Sequence, residues 1–353
     1  MRAVVLHAPL DIRIEERPAP TAADLGPRDC LLRVESVGVC GSDVHYYEHG
    51  RIGKCTVDRP MILGHECSAT VVACGTEVRA IREGDRVAVE PGIPCRRCEF
   101  CRAGRYNLCK DVVFFATPPV DGSLCDYVIH PDDLLYRLPE NVSFDEGALV
   151  EPLAVGVYAA RRASVRPGDT VAVLGCGTIG LLALQAVRAA GATRVLAVDV
   201  LPNRLALAAR FGAETFDASS GDAVEWVLDS TRGRGADVVL ETAGAVATAQ
   251  STLKMARTGG RVCLVGLPPE SVIPWEIMEV LAREIDVCGV FRYVNCFGEC
   301  VSLIADGRID LEPMVTGRYR LEQAPEAFEF ASTRKGECIK VVIDVGEGVR
   351  EGA

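Results

Sequence analysis

The stretch from Thr170 to Asp199 constrains the fold more than any other. The apolar run Val171-Ala172-Val173-Leu174 leads into Gly175, Gly177 and Gly180 in G-x-G-x-x-G spacing, and a helix-like segment follows from Thr178 to Ala190. A second apolar run, Val195 to Val198, ends on Asp199. The glycine spacing alone is a weak signal. Here it follows a strand, opens a helix and is completed by an acid at the end of the next strand, which is the full context of a dinucleotide-binding βαβ unit. The glycines permit a tight turn and close approach of backbone to a pyrophosphate, and the helix N-terminus favours its charge. Thr178 and Ile179 fall inside the same cradle. Asp199 is expected to bind the ribose diol of NAD and to repel a 2′-phosphate, which disfavours NADP; Arg204, shortly after it, leaves NADP open.

Beyond Asp199 strand-like and helix-like runs alternate: Asp237 to Leu240, Ala247 to Met255, Val262 to Val265, Trp275 to Ala282 and Val287 to Val290. Such alternation predicts a parallel sheet with helices on both faces. A chain of 353 residues exceeds what one core usually supports. The expected division is a first domain over 1–151, a doubly wound Rossmann domain over 152–288, and a return to the first domain over 289–353. The return carries helices over Tyr293 to Ile304 and Leu321 to Phe330, with a mobile tail from Gly346.

Hydrophobic residues at 49% and charged residues at 25% are ordinary globular values. The net charge of −11 argues against general affinity for nucleic acid or an anionic membrane, so a small-molecule partner is expected. The run Val171 to Val187 is too short and too broken by glycines, Thr178 and Gln185 to span a bilayer. The start reaches Asp11 after a short apolar run, so no signal peptide is expected. Among the sixteen cysteines the clustered ones point to metal ligands in a reducing, cytoplasmic compartment, and the others, including Cys67, Cys74, Cys176, Cys263, Cys288, Cys296, Cys300 and Cys338, are expected to be buried small residues.

The first 35 or so residues alternate short apolar runs with polar and proline stretches, the pattern of a β-rich unit. Next come C-G-S-D-V-H from Cys40 and G-H-E from Gly64. A thiolate, an imidazole and a carboxylate are ligands that Zn²⁺ accepts together, and a catalytic site needs only three from protein. Any isolated Cys or His is more often a packing residue, but Glu66 sits in a run, Met61 to Val72, that is apolar except for it, His65, Ser68 and Thr70, and a carboxylate there must be paired or bound to metal. Asp43 is either a helix-entry acid or the group that holds the far nitrogen of His65. Cys95, Cys98, Cys101 and Cys109 are spaced to turn four thiolates onto one structural Zn²⁺. The segment Val142 to Ala163 is helical in pattern, and Glu151 within it is flanked by apolar triplets that suggest burial. His7, His49 and His130 are expected to be surface or packing residues.

Two zinc sets beside a Rossmann unit in the second half make the chain resemble, over its whole length, the zinc-containing medium-chain alcohol dehydrogenases. Within them it is similar to the sorbitol (polyol) dehydrogenases, through V-H-Y-Y-E-H-G-R-I-G from Val44, V-E-P-L from Val150 and G-V-F-R-Y from Gly289. The resemblance implies a GroES-like, β-rich catalytic domain and an NAD-linked oxidation of a polyol by a homotetramer. It implies that Cys40, His65 and Glu66 bind a catalytic zinc, with Glu151 as a fourth or water-mediated ligand. Ser42 and His45 would lie on the proton route, and Tyr46, Ile52, Phe114, Arg292 and Tyr293 would line the substrate pocket. Ala69 and Tyr47 depart from the family's usual Gly and Trp.

Counting charge, Zn²⁺ with the Cys40 thiolate and the Glu66 carboxylate is neutral, and direct addition of Glu151 would make the site negative and a weaker acid. Glu151 is therefore expected to act mainly through water or to trade places with Glu66. A threonine or 2,3-butanediol dehydrogenase shares these features, and a non-enzymatic nucleotide-binding or redox-sensing protein would need only the cysteine lobe.

Overall fold

The computed structural model describes residues 1–270 and 272–346, so the tail past Gly346 lies outside the described residues. The chain forms two compact units. One holds Met1–Glu151, Phe297–Ala305 and the described residues from Leu311 onward; the other holds Pro152–Cys296 and Asp306–Asp310.

The first unit is built on Asp29–Val39, which pairs antiparallel with Glu66–Cys74, Tyr127–Pro131 and Lys340–Asp344. Arg86–Val89 and Leu135–Arg137 extend the sheet on one side and Val315–Arg320 on the other. Cys30, Leu32 and Val34 alternate inward with no exposure, the period-2 signature of a half-buried strand. A register shift between Val34 and Ser36 then changes parity, so that Val37 and Val39 face the core and the strand ends at Cys40. Each such side chain contributes roughly 1.5–3 kcal/mol by burial. Ala69 lies inside the strand Glu66–Cys74 and outside the positive-φ residues, so its departure from Gly carries no backbone cost.

Two expected helices are placed differently. The segment Val142 to Ala163 divides into Phe144–Ala148, begun by a Ser143–Glu146 capping box, and Val150–Arg162. The helix expected from Tyr293 starts only at Phe297, because Arg292 and Asn295 adopt φ of 53° and 51°, outside the helical region.

The second unit carries a parallel sheet in the order Glu214–Asp217, Arg194–Asp199, Thr170–Leu174, Ala236–Glu241, Ala256–Leu264 and Asp286–Gly289. Numbered along the chain this is the doubly wound 3-2-1-4-5-6 order. Val171, Ala172 and Val173 are fully buried, and the helix Thr178–Ala189 packs on the sheet with Leu181 to Val187 inside. That strand and helix account for the membrane-like run; no described helix is long and apolar enough to cross a membrane.

Candidate active site

Cys40 is the N-cap of the helix Gly41–His49, and Asp43 in its first turn is fully buried. Asp43 Oδ2 accepts from the Cys40 amide at 3.2 Å and Oδ1 from the Gly64 amide at 3.2 Å. The same Oδ2 lies 3.4 Å from His65 Nδ1. One carboxylate thus ties together the two loops that carry Cys40 and His65, and leaves Nε2 of His65 for the site. Gly64 has φ of 88°, and a Cβ there would meet Leu124 at 2.7 Å, so only glycine fits the turn that presents His65.

Ligand atoms of Cys40, His65 and Glu66 lie within 4.8 Å of one another. Burial alone would lower the His65 pKa, but Asp43 and Cys40 outweigh it and hold the imidazole well above its ordinary range. A proton therefore sits where the donor set favours a cation, and metal binding releases it. This chemistry fits zinc.

Glu66 has a partner that sequence reasoning missed. Its carboxylate, with no exposure, accepts from Lys340 Nζ at 2.9 and 2.7 Å, and Nζ also donates to the Val39 carbonyl at 3.1 Å. Burial would lower Lys340, yet Glu66, Cys40 and Glu151 raise it above the usual lysine range. Gly38 makes room for the pair, since a Cβ there would run into Glu66 Oε2. The available signal was Lys340 itself, a lone charge followed by Val341-Val342-Ile343. Glu151, 6% exposed in the first turn of Val150–Arg162, is near enough to Lys340 to act on its protonation. The neutrality expected without Lys340 must be recounted: its positive charge balances one further carboxylate, so charge alone does not force water between Glu151 and a metal.

Phe114 is buried with its ring 5.7 Å from that of His65, Tyr46 is 5% exposed, and Ile52 sits in the short hairpin Arg51–Ile52/Cys55–Thr56. Ser42 is half-buried and His45 exposed. Tyr47 packs on Phe328 at 5.6 Å. Arg292 and Tyr293 belong to the second unit, Arg292 in left-handed backbone and Tyr293 3% exposed.

The four lobe cysteines also have sulfurs within 4.8 Å of one another, with Cys98–Cys101 at 3.4 Å and Cys95–Cys101 at 3.9 Å. Sulfurs bound tetrahedrally at about 2.3 Å would stand about 3.8 Å apart, which the lobe matches. Amides of Cys95, Cys98 and Cys101 donate to the sulfurs of Cys109, Cys95 and Cys98. The Arg97 and Cys98 amides lower the Cys95 thiol to about 6. Buried Glu90, accepting from Tyr106 Oη at 2.7 Å and Tyr136 Oη at 2.9 Å, tethers the lobe to the sheet.

In the second unit Gly175 has φ of 93°, and a Cβ on Gly180 would strike the Gly175 carbonyl. At Gly177 the nearest atom is Arg204 Nη1 at 3.8 Å, so the turn stays open where backbone would approach a pyrophosphate. Thr178 and Ile179 form the first turn of the helix behind Gly177. Asp199 Oδ2 accepts from the Cys176 amide at 2.6 Å, and Oδ1 from Val200 and Leu201 at 2.8 and 2.9 Å. Sequence reasoning passed over Thr242, whose hydroxyl donates to the Leu174 and Gly175 carbonyls at 2.9 and 2.7 Å and braces the turn.

A doubly wound nucleotide unit joined in one chain to a β-rich unit with an open Cys-His-Glu centre defines a zinc-dependent dehydrogenase. Residues 26–140 match the alcohol dehydrogenase GroES-like domain and residues 178–306 the zinc-binding dehydrogenase domain. The chain is 44% identical to the sorbitol dehydrogenase of Bacillus subtilis over 344 residues, 97% of each chain. It is 44% identical to the L-idonate 5-dehydrogenase of Vitis vinifera over 91% of this chain and 89% of that one. An Escherichia coli oxidoreductase/dehydrogenase of unknown specificity superposes with a TM-score of 0.94 at 39% identity, covering 98% of this chain and 99% of that one. The chain belongs to the zinc-binding dehydrogenases of the medium-chain alcohol dehydrogenase family, in the company of the sorbitol dehydrogenases.

Proposed function

We propose that this chain oxidises a polyol of the sorbitol or xylitol type to the ketose and passes the hydride to NAD. The observation that carries this is the convergence of half-buried Cys40 with buried His65 and Glu66, with Asp43 beside His65. Those three residues are assigned to a catalytic zinc, with Glu151 as a fourth or water-mediated ligand, and Cys95, Cys98, Cys101 and Cys109 to a structural zinc. Zinc, when bound, supplies Lewis acidity toward the substrate hydroxyl. Ser42 and His45 carry the released proton. Tyr46, Ile52, Phe114, Arg292 and Tyr293 are assigned to substrate; Arg and Tyr donors suit several hydroxyls and reject analogues lacking them. Gly175, Gly177, Thr178, Ile179 and Gly180 cradle the pyrophosphate, Asp199 takes the ribose diol, and Arg204 reaches over the turn.

A cytoplasmic homotetramer completes the proposal. Among the described residues the strand Asp286–Gly289 stands at one edge of its sheet, and near it in the chain Ile277, Met278, Leu281, Val287 and Phe291 are 41–64% exposed. Such an edge is a liability unless another copy covers it.

The experiment is initial-rate NAD reduction with sorbitol, xylitol, galactitol, L-threonine and 2,3-butanediol, before and after selective chelation. Polyol turnover lost with the labile zinc supports the assignment. Preference for threonine or butanediol would keep the zinc chemistry and overturn the substrate residues, and no turnover would favour a non-enzymatic role.

A further inference from the structure

The helix Gly41–His49 carries metal donors that neither zinc assignment uses. His45 and His49 stand at i and i+4 on one helix face, and Glu48 completes H-x-x-E-H, a spacing by which a helix offers two imidazoles to one zinc ion. The two rings meet edge to face with centroids 4.6 Å apart. The Glu48 carboxylate is divided: Oε1 accepts from Ser332 Oγ at 2.6 Å and pairs with Lys335 Nζ at 3.2 Å, whereas Oε2 faces His49 Nε2 at 3.6 Å. Ser332 and Lys335 thus hold one oxygen and leave the other toward the imidazoles. Ligand atoms of all three residues lie within 4.8 Å of one another, and both histidines are exposed to solvent. Partial burial and the neighbouring His49 keep His45 below the ordinary imidazole range, so its lone pair is available near neutrality.

We propose that His45, Glu48 and His49 form an accessory site for a divalent transition-metal ion, and that an ion bound there slows turnover by withdrawing the His45 imidazole from the proton route. The ligand set stands on geometry alone; the inhibition rests on the assignment of His45 to that route. With no thiolate, and with Lys335 and Arg51 adding positive charge nearby, the site binds more weakly than the two zinc sites. It fills only when metal is in excess.

Ni²⁺ titrated into enzyme already holding its two zinc ions, followed by calorimetry with turnover measured in parallel, tests both halves. One further ion is expected, weakened about tenfold or more in His49→Gln, since even the loss of an outer partner has such an effect. Excess Ni²⁺ should slow the wild type, and His49→Gln, with full activity in the absence of Ni²⁺, should resist it. Absence of a further ion, or equal binding by both proteins, overturns the site. An ion that binds without slowing turnover overturns the link to His45. Separately, His45→Asn with undiminished kcat would remove His45 from the proton route while leaving Ni²⁺ binding by the wild type in place.

Discussion

Lys340 Nζ lies 2.7 and 2.9 Å from the two carboxylate oxygens of Glu66, and neither side chain exceeds 3% exposure. A pair this buried persists only if each charge is answered, and removing one partner leaves an uncompensated ion. Lys340→Met should therefore destabilise the metal-free protein by about 3–5 kcal/mol. The loss should be smaller in the zinc-loaded protein, where the cation answers Glu66 instead. Denaturant unfolding with and without zinc checks this, and equal losses in both forms would separate Glu66 from the metal.

Asp43→Asn keeps the shape of the side chain that joins Cys40, Gly64 and His65 but removes its charge. Zinc affinity at the catalytic centre should fall about 10–100-fold, read by competition with a chromophoric chelator. Unchanged affinity would reduce Asp43 to a helix-capping residue.

His130 is fully buried, with Nε2 donating to the Glu90 carbonyl at 2.8 Å, and burial pushes its pKa down to about 4. An unfolded histidine titrates near 6.5, so between those values the unfolded chain binds more protons than the folded one. This contribution is complete above pH 6.5 and is lost progressively as pH falls toward 4, by roughly 3 kcal/mol in all. Urea unfolding across that window should show a steep loss in the wild type and a shallower one in His130→Gln. Parallel slopes would place the acid sensitivity elsewhere.

Asp199 accepts three amide hydrogen bonds, and Arg204 reaches Gly177 nearby. In the proposed role of Asp199 at the ribose, replacing the acid by Asn removes the charge that would oppose a 2′-phosphate. The ratio of kcat/KM for NADP to that for NAD should rise about tenfold or more. A fall in both values with their ratio unchanged would assign Asp199 to bracing the turn alone.

The features legible in the sequence were those whose meaning is local. The four lobe cysteines and the glycine turn follow from spacing within a few residues, and Asp43 was a candidate for His65 because the chemistry of a metal-bound imidazole calls for a carboxylate. Lys340 was not legible, because it reaches Glu66 across 274 residues of chain and only the pairing of Lys340–Asp344 with Asp29–Val39 brings them together. The strand Glu214–Asp217 escaped notice because an edge strand of Glu, Thr, Phe and Asp has no apolar run to betray it. The helix at Phe297 starts late because backbone at Arg292 and Asn295 departs from helical φ, a constraint that side-chain periodicity does not carry.

Because Lys340 lies so far along the chain from Glu66, the ribosome delivers Cys40, His65 and Glu66 long before their counter-charge. Until Lys340 is made, Glu66 lacks the ammonium that answers it in the folded chain. The order of synthesis thus makes the pairing of Lys340–Asp344 with Asp29–Val39 a finishing step for the surroundings of Glu66 as well as for the sheet.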